Sequence, residues 1–151
     1  MDSEKQKRLV SAEEEQDISR KMMIWANSFS DDDIPAATIN YEFLAADSAS
    51  MALSTIQGAY ITRKFILGGH EAEYQFKIIA RIKPGNSNDK RLKCDAMLNR
   101  FGDWATQNPP DLGDGMRVRR MEAVSRSALF ARYEDGTEDH QILMKLTYEV
   151  I

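Results

Sequence analysis

What is scarce in this chain narrows it first. Its 151 residues include one cysteine, Cys94, so an intramolecular disulfide is impossible. The two histidines, His70 and His140, lie far apart in sequence, which speaks against zinc or another metal. No apolar run approaches the roughly 20 residues that cross a bilayer. The opening MDSEKQKRLV lacks the apolar stretch of a secretory signal, so a cytosolic protein with no membrane partner is expected. Excess positive charge is missing too: 20 Lys and Arg against 24 Asp and Glu leave a net charge of −4. A dedicated nucleic-acid binder draws its affinity from cations that neutralise phosphates. Internal repeats and low-complexity stretches are absent. LGGHEAEY has two glycines but runs into a strand pattern, whereas a phosphate cradle needs a helix N-terminus directly after it. No cofactor is expected.

What is present describes one soluble domain, with 42% hydrophobic and 29% charged residues and enough length to bury a core unaided. Residues 1–30 form the first unit. From Glu4 to Phe29 there is no Pro or Gly, and good helix formers dominate, so a long helix is predicted. Ile18, Met22, Trp25, Ala26 and Phe29 share one face of it. The acidic run Glu13, Glu14 and Glu15 reads as a solvated helix face or, alternatively, an interaction surface. SDDDIP stops the helix. Residues 36–83 are a strand cluster. In ATINYEFLA, Ile39, Tyr41 and Phe43 alternate with polar residues and predict a half-buried strand. The stretch from Ala49 to Ile66 is one bent strand or two. Gly68-Gly69 marks a short hairpin, and both residues tolerate positive φ. The following strand places Tyr74, Phe76, Ile78, Ala80 and Ile82 on one face, with Gln75, Lys77, Arg81 and Lys83 opposite.

Residues 88–107 predict a second helix with Cys94, Met97, Leu98, Phe101, Trp104 and Ala105 in one stripe. Gly102 costs it about 1 kcal/mol relative to Ala, which a close backbone approach to the sheet would offset. Two prolines end it. Residues 115–151 return to strands, the last two joined by a hairpin at Asp135-Gly136. The order helix, strands, helix, strands predicts an α+β domain: a mainly antiparallel sheet with two principal helices packed on it.

Chemistry is sparse. Cys94, on the apolar helix stripe, reads as a small buried thiol rather than a nucleophile. His70 and His140 read as exposed residues at turn edges. A general-base role beside Glu71 or Asp139 is disfavoured, because neighbours in a strand point to opposite faces. No catalytic residue is assigned and no enzyme is expected. The concentrated feature is a basic strand region, Arg117, Arg119 and Arg120 joined by Arg126 and Arg132. It is either a solvated strand face or a docking surface for an acidic protein or DNA. The acidic first helix of a neighbouring copy, through Glu13 and Glu14, offers a complement, and such asymmetry suits a head-to-tail ring.

With these elements in place, the chain resembles a family. A first helix ending in IWAN, the hairpin strand GGHEAEYQFKIIARIK, the helix and loop LNRFGDWATQNPPDLGDG and the closing ALFARYEDGTEDHQILMKLTYEVI look like the small tail-terminator or minor capsid proteins of long-tailed bacteriophages, many of them carried by prophages of Gram-positive bacteria. The resemblance implies an α+β fold without an active site. It further implies a ring of identical copies, usually a hexamer, that caps the tail tube at its final length. The ring's other side would face head-completion proteins at the neck, and DNA would meet it only by passing through. Assembly would take place in the host cytoplasm and the finished protein would sit in the virion. The family transfers no residues one by one, so the expected interface, Arg117, Arg119, Arg120, Arg126, Arg132, Glu13, Glu14 and Asp135, comes from this sequence alone. Loops at 31–35, 109–115 and 135–136 are expected to order on docking, with Asp111 and Asp114 facing a lumen or simply solvent. Reversing Arg117, Arg119 and Arg120 to Glu is expected to abolish assembly and leave a folded monomer. Two other classes stay open: a small-ligand-binding or enzymatic α+β domain, and a nucleic-acid-binding module in which Phe130 or Tyr133 stacks on bases beside the arginine strand.

Overall fold

The alternation from His70 to Ile82 marks a strand at the centre of the sheet. The computed structural model describes residues 8–46 and 48–151, in the order β1 (Arg8–Leu9), α1 (Ala12–Ala26), β2 (Ile39–Tyr41), β3 (Ser50–Lys64), β4 (His70–Ile82), α2 (Asn88–Gln107), β5 (Met116–Ala123), β6 (Ala128–Arg132) and β7 (Glu138–Val150). The sheet order is β1-β3-β4-β7-β5, with β2 also on β3 and β6 also on β7; every pairing is antiparallel except β2 with β3. This is the expected α+β class.

The β4–β7 ladder runs without a register shift from His70↔Val150 to Ile82↔Glu138. Because side chains alternate, Tyr74, Phe76, Ile78 and Ala80 share one face with Ile142, Met144, Leu146 and Tyr148, and all eight are buried. Both helices cover that face. Trp25 of α1 stacks on Trp104 of α2 with ring centroids 5.1 Å apart, and meets Phe101 at 5.6 Å and Phe76 at 6.1 Å edge-on. At Gly102 α2 approaches the sheet closely: a Cβ there would stand 2.9 Å from Ile142 Cδ1 and 3.5 Å from Ala123 Cβ.

Several boundaries differ from the sequence reading. The first helix starts at Ala12, not Glu4. Ser11 caps it, accepting from Glu14 N–H at 3.1 Å, while Arg8 and Leu9 pair with Ile61 and Tyr60 on the sheet edge. A capping serine and an edge ladder thus overrule helix propensity upstream of it; residues 1–7 of the predicted helix lie outside the described residues. β2 is three residues long, because Glu42 turns the chain at φ 55°. Phe43 is therefore 61% exposed instead of half-buried. The stretch from Ala49 to Ile66 is one strand, bulged between Thr55 and Ala59, where Gln57 and Gly58 take positive φ. The glycine hairpin is longer than two residues: Phe65 N–H donates to the Gly69 carbonyl at 3.2 Å and Gly68 N–H to Phe65 at 3.2 Å, so Ile66 and Leu67 form the tip.

Gly68 and Gly69 separate two costs. Both hold positive φ, but a Cβ on Gly68 meets open space whereas one on Gly69 would occupy the place of the Val150 carbonyl oxygen. Urea denaturation of Gly68→Ala is expected to show a loss of about 1 to 2 kcal/mol from the left-handed backbone alone. For Gly69→Ala the loss should be larger, about 3 kcal/mol or more, because β4 must also part from β7.

Candidate interaction surface

The predicted arginine strand forms one outer edge of the sheet, and most of it is already paired. Glu149 of β7, whose side chain is 7% exposed, accepts from Arg117 Nε at 2.7 Å and from Arg119 Nη1 at 3.2 Å. Arg120 Nε reaches Glu122 at 2.9 Å, and Arg132 Nε reaches Glu138 at 2.8 Å. Arg126, exposed between β5 and β6, has no ion pair among the described residues. Reversing Arg117 and Arg119 to Glu would press new carboxylates against Glu149, so that change acts on the fold as well as on any interface.

The acidic run is divided in the same way. Glu13 is exposed. Glu14 accepts from Tyr148 Oη at 2.7 Å and lies 2.9 Å from His70 Nε2, while Glu15 accepts the Ala59 N–H at 2.6 Å. Burial first, and then Glu14, raise the Tyr148 phenol well above its ordinary value, so it acts there as a donor. Asp135 is likewise occupied: its carboxylate accepts Thr137 N–H at 2.9 Å and Oγ1 at 2.7 Å, which holds it below the usual carboxylate range. The loops are tied down too. Asp31 takes a fork from Arg100 at 2.7 and 2.8 Å, and the Leu112 carbonyl accepts from Lys21 Nζ at 2.7 Å. Asp111 accepts its own turn's Gly113 N–H, and Asp114 is exposed.

Neither histidine is an exposed turn residue. His140 is 2% exposed because α2 lies across the start of β7. Its Nδ1 is 2.9 Å from Asp95 and its Nε2 3.1 Å from Glu138. Both ring nitrogens thus face carboxylate oxygens. Glu138 also takes Arg91 and Arg132, and Ser127 Oγ donates to Asp95 at 2.7 Å. The carboxylate partners come from other elements and from two residues along the strand, which neighbour-based reasoning about Glu71 and Asp139 could not find. Cys94 is buried as expected, and burial pushes its thiol up to about 12. Phe130 lies under Lys77 Nζ at 4.9 Å and Tyr133 under Arg81 at 5.0 Å, so one face of each ring is occupied. Among the described residues no group of three or more His, Cys, Asp or Glu is placed to hold a metal, and no helix is long and apolar enough to cross a membrane.

Two surface features were not legible. Ile66 and Leu67 at the β3–β4 tip are 101% and 100% exposed. A two-residue glycine turn would place both in the strand; the signal is their position against two glycines, inside the turn. The second feature is an open groove of about 480 Å³ beside α1, lined by Ala12, Glu15, Gln16, Ser19, Arg20, Met23 and Tyr41. It is bounded by α1 on one side and by Tyr41 of β2 on the other. Compared with the profiles of known protein families and with curated proteins, the chain matches none.

The buried cluster around Glu138 makes stability depend on pH. Burial opposes ionisation of this carboxyl, but hydrogen bonds from His140, Arg132 and Arg91 outweigh it and hold its folded value below the ordinary 4.5. The folded state therefore binds fewer protons than the unfolded one around that pH. The resulting stabilisation is complete above pH 4.5 and lost as pH falls through the lower folded value. Glu138→Gln is expected to cost about 2 kcal/mol at pH 7 and to flatten the acid limb of a stability–pH curve measured by urea titration.

Proposed function

We propose that the chain is a structural protein of a long-tailed phage: a tail terminator whose copies form a ring, hexameric in the family it resembles. That ring sits on the end of the tail tube and meets the head-completion proteins on its other side. The observation that carries this reading is the β3–β4 tip. Two large aliphatic side chains are held fully in water by a turn that is itself well hydrogen-bonded, while the carboxylates and histidines that could support chemistry are spent on internal pairs. Apolar surface presented on a rigid hairpin is suited to a protein partner. An arginine edge, on which Arg126 is exposed without an ion pair among the described residues, adds a polar contact for tube, neck or neighbour. On this reading the protein acts in the host cytoplasm during assembly and ends in the virion, and DNA passes through the ring unread. A second reading, a module for a small apolar ligand, is favoured by the groove beside α1 alone.

Deleting the coding sequence from the phage or prophage that carries it is expected to yield tails of unregulated length and heads left unjoined, with both defects repaired by the chain supplied in trans. Normal, joined particles from the deletion, seen by negative-stain microscopy, would overturn the assignment.

A further inference from the structure

We infer that the apolar hairpin tip of one copy seats in the groove beside α1 of the next, a head-to-tail contact between identical chains. The tip offers Ile66 and Leu67, both fully exposed; the groove, about 480 Å³, has room for two aliphatic side chains between Met23, Ala12 and Tyr41. The tip cannot reach its own groove. Glu15, which lines the groove, holds Ala59 N–H, and the tip at Ile66 lies seven residues further along the chain, beyond the end of β3. At about 3.3 Å per strand residue that is roughly 23 Å away. Between the two points the β3–β4 ladder continues to Lys64↔His70, immediately below the tip, so the hairpin cannot bend back. The occupant is therefore another molecule.

Charge favours a second copy. The shaft below the tip carries Arg63 and Lys64, and Lys64 is exposed with no ion pair among the described residues. The helix that forms the groove begins with an acidic turn whose Glu13 is exposed. Seating the tip brings the basic shaft toward that turn. Knob and groove are different patches of the same chain, so each contact leaves one of each unused, and the contact repeats until it closes a ring or grows a filament. The inference rests on the ring-forming reading above and names the contact that would build the ring.

The test uses two variants that break opposite sides. Ile66→Asp with Leu67→Asp removes the knob, and Gln16→Trp, at an exposed helix position, fills the groove. Circular dichroism and melting temperature should match the unaltered chain, since neither change touches the core. By size-exclusion chromatography with light scattering, the unaltered chain is expected to rise from monomer to ring with concentration. Each variant alone should remain monomeric, with association weakened at least about tenfold. An equimolar mixture should give a dimer, because the tip variant keeps its groove and the groove variant keeps its tip. An unaltered chain that stays monomeric to about 1 mM, a variant with the unaltered mass profile, or a mixture that stays monomeric would each overturn the contact. The two readings fail separately. Rings that form through this contact but do not repair the phage deletion would sink the tail assignment alone; repair by the tip variant as good as by the unaltered chain would sink the contact alone.

Discussion

The register of β4 against β7 is the constraint from which the remaining structure follows. Each residue from His70 to Ile82 faces one residue from Val150 to Glu138 with no bulge. A slip of β4 by one position against β7 would turn Tyr74, Phe76 and Ile78 out to water and bring Glu73, Lys77 and Arg81 in. Apolar burial over the middle of one face and the Arg81–Asp139 and Lys145–Glu73 pairs on the other are two results of one alignment. The irregularities are confined to its flanks: β3, β5 and β6 all shift register against their neighbours, and the central pair does not.

The helices are fastened to this ladder by two kinds of force at different places. Their C-terminal halves meet over its middle through Trp25, Phe101 and Trp104, contacts worth about 0.5 to 1.5 kcal/mol per aromatic pair beyond area burial. Their first turns sit at opposite ends of it. Glu14 of α1 is tied to His70 and Tyr148, while Arg91 of α2 is tied to Glu138 at the far end. Apolar packing supplies adhesion without direction. The charged ends supply direction, since a helix displaced by one turn would part Glu14 from His70 and Tyr148, or Arg91 from Glu138.

Much of this could be read from the sequence wherever one period persisted. The alternation through β4 and β7, the stripe on α2 and the buried thiol of Cys94 all follow from spacing, and α2 occupies the predicted 88–107. Legibility failed where a single side chain decided the outcome. Ser11 set the start of α1 at Ala12, and Glu42 cut β2 short. The turn of five residues from Phe65 to Gly69 placed two aliphatic groups in water where a tighter turn would have kept them in strands. The polar pairs failed for another reason. Glu14 and Tyr148, or Asp95 and His140, are brought together only by the tertiary fold, and nothing in their local surroundings marks them. The arginine cluster was visible as a cluster, but its neutralisation by Glu149 depended on strand order.

The edge of β3 shows how the domain handles exposed backbone. Between β1 and β2 no strand lies beside that edge among the described residues. Glu42 takes the Thr55 N–H at 2.9 Å, and Glu15 takes the Ala59 N–H at 2.6 Å. Two carboxylates thus stand where another backbone would dock, each using a donor that an incoming strand would need. A neighbouring molecule would find this margin closed to sheet growth and could touch it only through side chains. Contacts of that kind come apart and re-form without unfolding, whereas an added strand would stay locked in place.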